Sequence, residues 1–160
     1  MVELYRPEME DMWFRQQMME DEATMAYNHA WGGTIPFPQE RWEAWYDRWV
    51  RRPGDARFYR YVVVDGVFVG EAAYHYDEES QLHLADVIIH ASFRGRGYGR
   101  AALGLLCDAA AEHGIARLWD SLAIDNGALG LFQSCGFEEM YRTEAVIMVK
   151  KELKCCRNGI

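Results

Sequence analysis

Residues 90–114 read HASFRGRGYGRAALGLLCDAAAEHG. Three arginines, Arg94, Arg96 and Arg100, and three glycines, Gly95, Gly97 and Gly99, crowd the entry to an alanine- and leucine-rich segment. The segment from Tyr98 has helical apolar spacing and closes on Gly114, which suits a left-handed C-terminal cap. The β-branched stretch ending near Ile89 precedes it. The order is therefore strand, glycine-rich loop, helix. Glycines let successive backbone N–H groups converge on one point, and the helix behind them adds its positive end. Guanidinium groups suit phosphate oxygens. The stretch predicts an anion seat, and a pyrophosphate fits it best.

The elements on either side extend the pattern. VELYRP reads as a first strand, and the segment after Pro7 carries Met9, Met12 and Trp13 at helical spacing. A loop, YNHAWGGTIPFP, leads to a second helix with Trp42, Trp45 and Trp49 on one stripe, which we assign to the core. RFYRYVVVDGVFVGEAAYHY then predicts a hairpin turning at Asp65-Gly66. SQLHLADVIIHA is a strand in which Leu82, Leu84 and Asp86 alternate with His83, Ala85 and Val87. Beyond the central helix come a strand in IARLWDSLAID, a short helix in NGALGLFQSCG and one or two final strands. The predicted order, β-α-α-β-β-β-α-β-α-β-β, gives an α/β fold: one mixed sheet with helices on its faces.

The chain has 160 residues, half of them apolar, enough for one domain with a real core. We assign residues 1–154 to that domain and 155–160 to a tail. The net charge of −8 argues against a nucleic-acid partner, and no stretch is long enough to span a membrane. The N-terminus lacks a signal-peptide core. Cys107, Cys135, Cys155 and Cys156 have no disulfide or zinc spacing, so no metal is expected, and a reducing cytoplasm is the expected location.

The anion seat excludes two phosphate motifs. No lysine stands where a Walker loop needs one, and Arg100 replaces the third glycine of a dinucleotide fingerprint. What fits is R-x-x-G-x-G, from Arg94 to Gly99. After a strand and before a helix, it resembles motif A of the GNAT superfamily of acyl-CoA-dependent N-acyltransferases. DNGALGLFQSCGF, from Asp125 to Phe137, resembles the motif B of the same superfamily. The resemblance spans most of the chain.

The resemblance implies a mostly antiparallel sheet whose central strand carries a bulge and splays from its neighbour to admit acetyl-CoA. Val87, Ile88 and Ile89 would offer backbone to the pantetheine. Val87 N–H would face the thioester oxyanion. Arg94, Gly95, Arg96, Gly97, Tyr98, Gly99 and Arg100 would hold the pyrophosphate. Asn126 is preferred to Asp125 for the pantetheine, because a neutral amide both donates and accepts. An acetyl group would pass to a primary amine by direct attack, and Glu71, His83 and Asp86 are the candidate proton acceptors. Phe132 stands where many members carry a tyrosine that protonates the leaving thiolate. Tyr141 and Tyr98 are substitutes for it, or none is needed. The departure also admits a non-catalytic acyl-CoA-binding or sensing module. Tyr27, Asn28 and Trp31 lie in the loop expected to flank the acceptor, a small-molecule or protein amine. A homodimer through the tryptophan-rich helix is a further possibility.

Overall fold

A computed structural model describes residues 1–154; the expected tail, with Cys155 and Cys156, lies outside the described residues. The strands are β1 (Val2–Tyr5), β2 (Arg57–Val64), β3 (Val67–Asp77), β4 (Leu82–Ile89), β5 (Arg117–Ala123), β6 (Glu138–Arg142) and β7 (Val146–Glu152). They form one sheet in the order β1-β2-β3-β4-β5-β7-β6. Every neighbouring pair is antiparallel except β4 and β5, which run parallel. The main helices are α1 (Met12–Glu20), α2 (Glu22–Met25), α3 (Trp42–Tyr46), α4 (Tyr98–Glu112) and α5 (Leu129–Ser134). This is the expected α/β domain with a mostly antiparallel sheet.

The sheet separates two apolar layers. On one face α4 buries Ala102, Leu103, Leu106 and Ala110 against Val69, Ala85, Leu118 and Leu122. On the other, Met12, Phe14, Met18 and Met19 of α1 pack with Tyr59, Tyr61, Ala73 and Ile88. Trp42, Trp45 and Trp49 lie against this second layer, as their spacing predicts. Within β4 the period of two divides the residues between the layers. Ala85 and Ile89 belong to the α4 side, and Ile88 belongs to the α1 side.

Two local expectations are corrected. The single first helix is broken at Asp21, whose backbone is extended and whose carboxylate accepts from Thr24 N–H and Thr24 Oγ1. An aspartate that caps a new helix ends the old one. The expected loop then begins with a 3-10 turn, Ala26–Trp31. The Asp65-Gly66 turn is as expected, with both residues at positive φ, and the chain end forms two strands, β6 and β7.

The bulge implied for β4 is absent. Its ladder with β3 runs without a shift from Gly70–Ile89 to Asp77–Leu82. The irregularity lies one strand away, where the β2–β3 register shifts between Val62 and Val63. Just beyond it β3 crowds β4 at Gly70, where a Cβ would stand 2.3 Å from the Ile88 carbonyl oxygen. Gly70→Ala is therefore expected to destabilise the fold by about 1–3 kcal/mol, the range for forced overpacking. Equilibrium urea unfolding measures this; an unchanged midpoint would show that the approach is not tight.

Candidate active site

The site originates in one strand pair. β4 and β5 meet in ladder register only at Leu84 and Trp119. Past that point they diverge, and a cleft of about 480 Å³ opens between them. The phase of β4 settles which backbone groups face it. His90 N–H donates to the Val69 carbonyl on β3 at 2.8 Å. Antiparallel alternation then directs Ile88 and Asp86 main-chain groups toward β3, and those of Val87 and Ile89 into the cleft. Arg94 Nε meets the Ile89 carbonyl there, at 3.0 Å. Val87, Ile88 and Ile89 all line the opening.

At one end of the cleft lies the glycine-rich turn. Gly95 and Gly97 have φ of 79° and 82°, and Gly97 is the N-cap of α4. Left-handed glycines separated by one residue fold the chain so that consecutive N–H groups face the same side. Among the described residues, the N–H groups of Gly95, Arg96, Gly97, Tyr98, Gly99 and Arg100 find no protein acceptor; the first amide of this run to do so is that of Ala101, bonded to Gly97. Gly95, Gly97, Tyr98, Gly99 and Arg100 line the cleft. Six unpaired donors at the positive end of a fifteen-residue helix make an anion seat.

The three arginines have different positions. Arg94 lines the cleft beside the seat and also reaches back to α2. Its Nη2 donates to the Thr24 carbonyl at 2.7 Å and its Nη1 to the Ala23 carbonyl at 3.3 Å. It braces the turn against α2, where Thr24 Oγ1 also accepts from Ala91 N–H. Arg96 is exposed, lies over the Phe93 ring and does not line the cleft. Arg100 is exposed at the cleft. Asn126 and Phe132 also line it. Asn126 Oδ1 accepts from Ala128 N–H at 3.0 Å, opening the turn into α5. Asp125 instead pairs with His29 at 3.1 Å, outside the lining. Phe132 is buried against Phe137.

At the other end the cleft is acidic. Asp86 from β4 and Asp120 from β5 both line it, just past the Leu84–Trp119 apex. Asp86 is exposed through the opening, although protein closely surrounds the cleft at that point. Loss of hydration, with the Glu71 charge adding to it, pushes its carboxyl up to about 7. Asp120 is raised well above the usual carboxylate range by burial and by the Asp86 charge, against one bond from Ser121 N–H. Tyr27 and Trp31 form a wall. Burial and the nearby carboxylates raise the Tyr27 hydroxyl. Asn28 does not line the cleft; its Nδ2 donates to the Gly33 carbonyl and holds its own loop.

The three candidate proton acceptors separate. Because β4 has no bulge, His83 keeps its parity and lies on the α4 face, against Tyr76 and Tyr74, opposite to Asp86. It does not line the cleft. Glu71 shares the Asp86 face but is 3% exposed and fully engaged. Arg15 Nη1 donates to its oxygens at 2.6 and 2.9 Å, and Tyr59 OH donates to Oε2. The Arg15 guanidinium lies 4.1 Å from the Trp45 ring centroid. Only Asp86 of the three reaches the cleft.

Sequence reasoning missed two residues here. Asp120 was visible as an acid inside the apolar run of WDSLA, and Arg15 as a cation on the Met12–Met18 stripe. Both are signals of a buried charge that needs a reason.

The sequence profile of the Acetyltransferase (GNAT) family matches residues 7–137. No curated protein sequence matches the chain. Among solved structures, a spermidine N-acetyltransferase from Vibrio cholerae in complex with CoA and spermine superposes with a TM-score of 0.79 at 17% identity, covering 96% of each chain. A ribosomal-protein-alanine N-acetyltransferase from Brucella melitensis gives 0.74 at 21% identity, covering 96% of this chain and 99% of that one. A GNAT superfamily phosphinothricin acetyltransferase from Sinorhizobium meliloti, in complex with acetyl-CoA, gives 0.76 at 14% identity, covering 95% and 88%. At these identities the likeness is one of fold. Among the described residues no group of three or more metal-ligating side chains converges, and no helix is long and apolar enough to cross a membrane.

Glu71→Gln is expected to strand the Arg15 charge in the second apolar layer and to cost about 3–5 kcal/mol. Urea unfolding is the check. Wild-type stability in the variant would mean that Arg15 does not depend on its carboxylate.

Proposed function

The chain belongs to the Acetyltransferase (GNAT) family of acyl-CoA-dependent N-acyltransferases, and from that premise we propose that it moves an acetyl group from acetyl-CoA to a primary amine by direct attack. The observation that carries the reading is the run of six unpaired amides opening onto a strand pair that parts beside them. The seat takes the diphosphate, with Arg100 adding charge. The pantetheine lies along β4, using Val87 and Ile89 backbone and the Asn126 amide. Val87 N–H, already directed into the cleft, faces the thioester oxygen and stabilises the charge that develops on it.

The acidic end takes the acceptor. An amine with a lysine-like pKa is only about 0.1% neutral at pH 7, so a proton must leave before attack. Asp86 is the base. It lines the cleft, and its carboxyl titrates at about 7, where a base is both available and strong enough. Glu71, neutralised by Arg15, and His83, on the other face, stand aside from that step. Tyr27 and Trp31 offer aromatic surface to a cationic acceptor. A small-molecule amine and a protein amine both meet these requirements.

A second reading, a non-catalytic acyl-CoA-binding or sensing module, has one observation in its favour: Phe132 supplies no hydroxyl at the cleft wall. Thiol release from acetyl-CoA across a panel of primary amines separates the two. Transfer predicts release with at least one amine. It also predicts an inflection in kcat/KM near pH 7, rising with pH as Asp86 loses its proton, that disappears in Asp86→Asn. Stabilisation by acetyl-CoA with no release for any amine would establish the binding module instead.

A further inference from the structure

Past the apex of the cleft the two diverging strands each present one carboxyl, Asp86 from β4 and Asp120 from β5. A base accounts for the first. The second has no role in the reading above, on which this inference rests. It is also the acid nearest the strand junction that lacks any cationic partner. Glu71, on β3, has Arg15 of α1. The strand on its other side, β7, sets only apolar Val149 opposite Asp120. Asp120 accepts one bond, from Ser121 N–H at 2.7 Å. Leu118, Leu122 and Val149 place Asp120 on the α4 side of the strand gap; the Asp86 charge reaches it through that gap, and its own charge reaches Tyr27. Phe132, which also lines the cleft, has no proton to give.

We propose that Asp120 is the proton donor to the coenzyme A sulfur, a catalytic acid supplied from β5 in place of a hydroxyl on α5. Burial and the Asp86 charge raise its carboxyl well above the usual carboxylate range, which favours the protonated form a donor needs. Two carboxyls whose surroundings separate their affinities for a proton divide the work of base and acid.

The protons balance as follows. Asp86 carboxylate takes one proton from the ammonium acceptor. The freed nitrogen lone pair forms the N–C bond, and the carbonyl electron pair moves onto the oxygen facing Val87 N–H. That pair returns, the C–S bond breaks and its electrons go to sulfur, which takes the Asp120 proton. The new amide nitrogen, still positively charged, returns its extra proton to the Asp120 carboxylate. The products are the N-acetyl amine and the coenzyme A thiol. Asp86 then releases its proton to water.

The test compares wild type with Asp120→Asn, which keeps the shape and the acceptor for Ser121 N–H but has no acidic proton. With acetyl-CoA and n-butylamine as acceptor probe, the variant is expected to lose tenfold or more in kcat while its acetyl-CoA affinity stays within threefold. With S-phenyl thioacetate, whose thiol is acidic enough to leave unprotonated, the two proteins should react at equal rates. Equal losses on both thioesters, or no loss on either, overturn the proposal. Difference infrared spectra at pH 8 give a readout independent of turnover: a protonated-carboxyl stretch present in wild type and missing in Asp120→Asn. No such band overturns the proposal whatever the kinetics. A wild-type protein that releases no thiol with any amine, its band intact, instead overturns the transfer reading and removes the proposal with it.

Discussion

The organising constraint is a strand pair that stops pairing. Among the described residues β4 and β5 are the only parallel neighbours in the sheet, and they share a single residue pair in register. Main-chain groups of a central strand normally bond on both sides. Here Val87 and Ile89 pair with neither β5 nor, by phase, β3, and the Ile89 carbonyl instead accepts from Arg94 Nε. A cleft lined by such groups needs an occupant with complementary hydrogen bonds along its length, and an amide-bearing pantetheine arm is one. Both apolar layers serve to hold the two strands apart. α4 and α5 pack on one face, and α1 with the tryptophan stripe packs on the other.

Charge is polarised along the cleft. The chain carries −8, yet one end of the cleft is a helix N-terminus with six unpaired amides. The other end holds two carboxyls without a cationic partner. On the proposed function, that gradient would give a bound acyl-CoA one orientation, phosphates at the glycines and thioester at the acids. Arg15 sharpens it. By neutralising Glu71 within an aromatic shell, it takes one of three clustered acids out of play. It leaves Asp86 to titrate near neutrality.

Much of this was legible in the residues. The glycine-rich turn at the mouth of α4 required left-handed backbone, and Gly95 and Gly97 adopt it. The hairpin at Asp65-Gly66 and the half-buried tryptophan stripe followed from local chemistry. Other features depended on contacts distant in sequence. Arg94 lines the cleft, but nothing in its neighbourhood shows the α2 carbonyl that it also binds 70 residues away. Glu71 looked like a free base until Arg15, 56 residues upstream, was found on it. His83 and Asp86 could be ranked only once the β3–β4 ladder showed no bulge, since one inserted residue would exchange their faces. Asp120 gains its meaning from the Asp86 carboxyl across the strand gap.

The central claim is that the amides from Gly95 to Arg100 grip the diphosphate and so aim the thioester along β4. Amide chemical shifts of nitrogen-15-labelled protein, followed during titration with coenzyme A, test it most directly. The account predicts that the largest changes fall on Gly95 through Arg100, with a second group at Val87 and Ile89. Shifts confined to residues outside the cleft, with those amides unmoved at saturation, would contradict it.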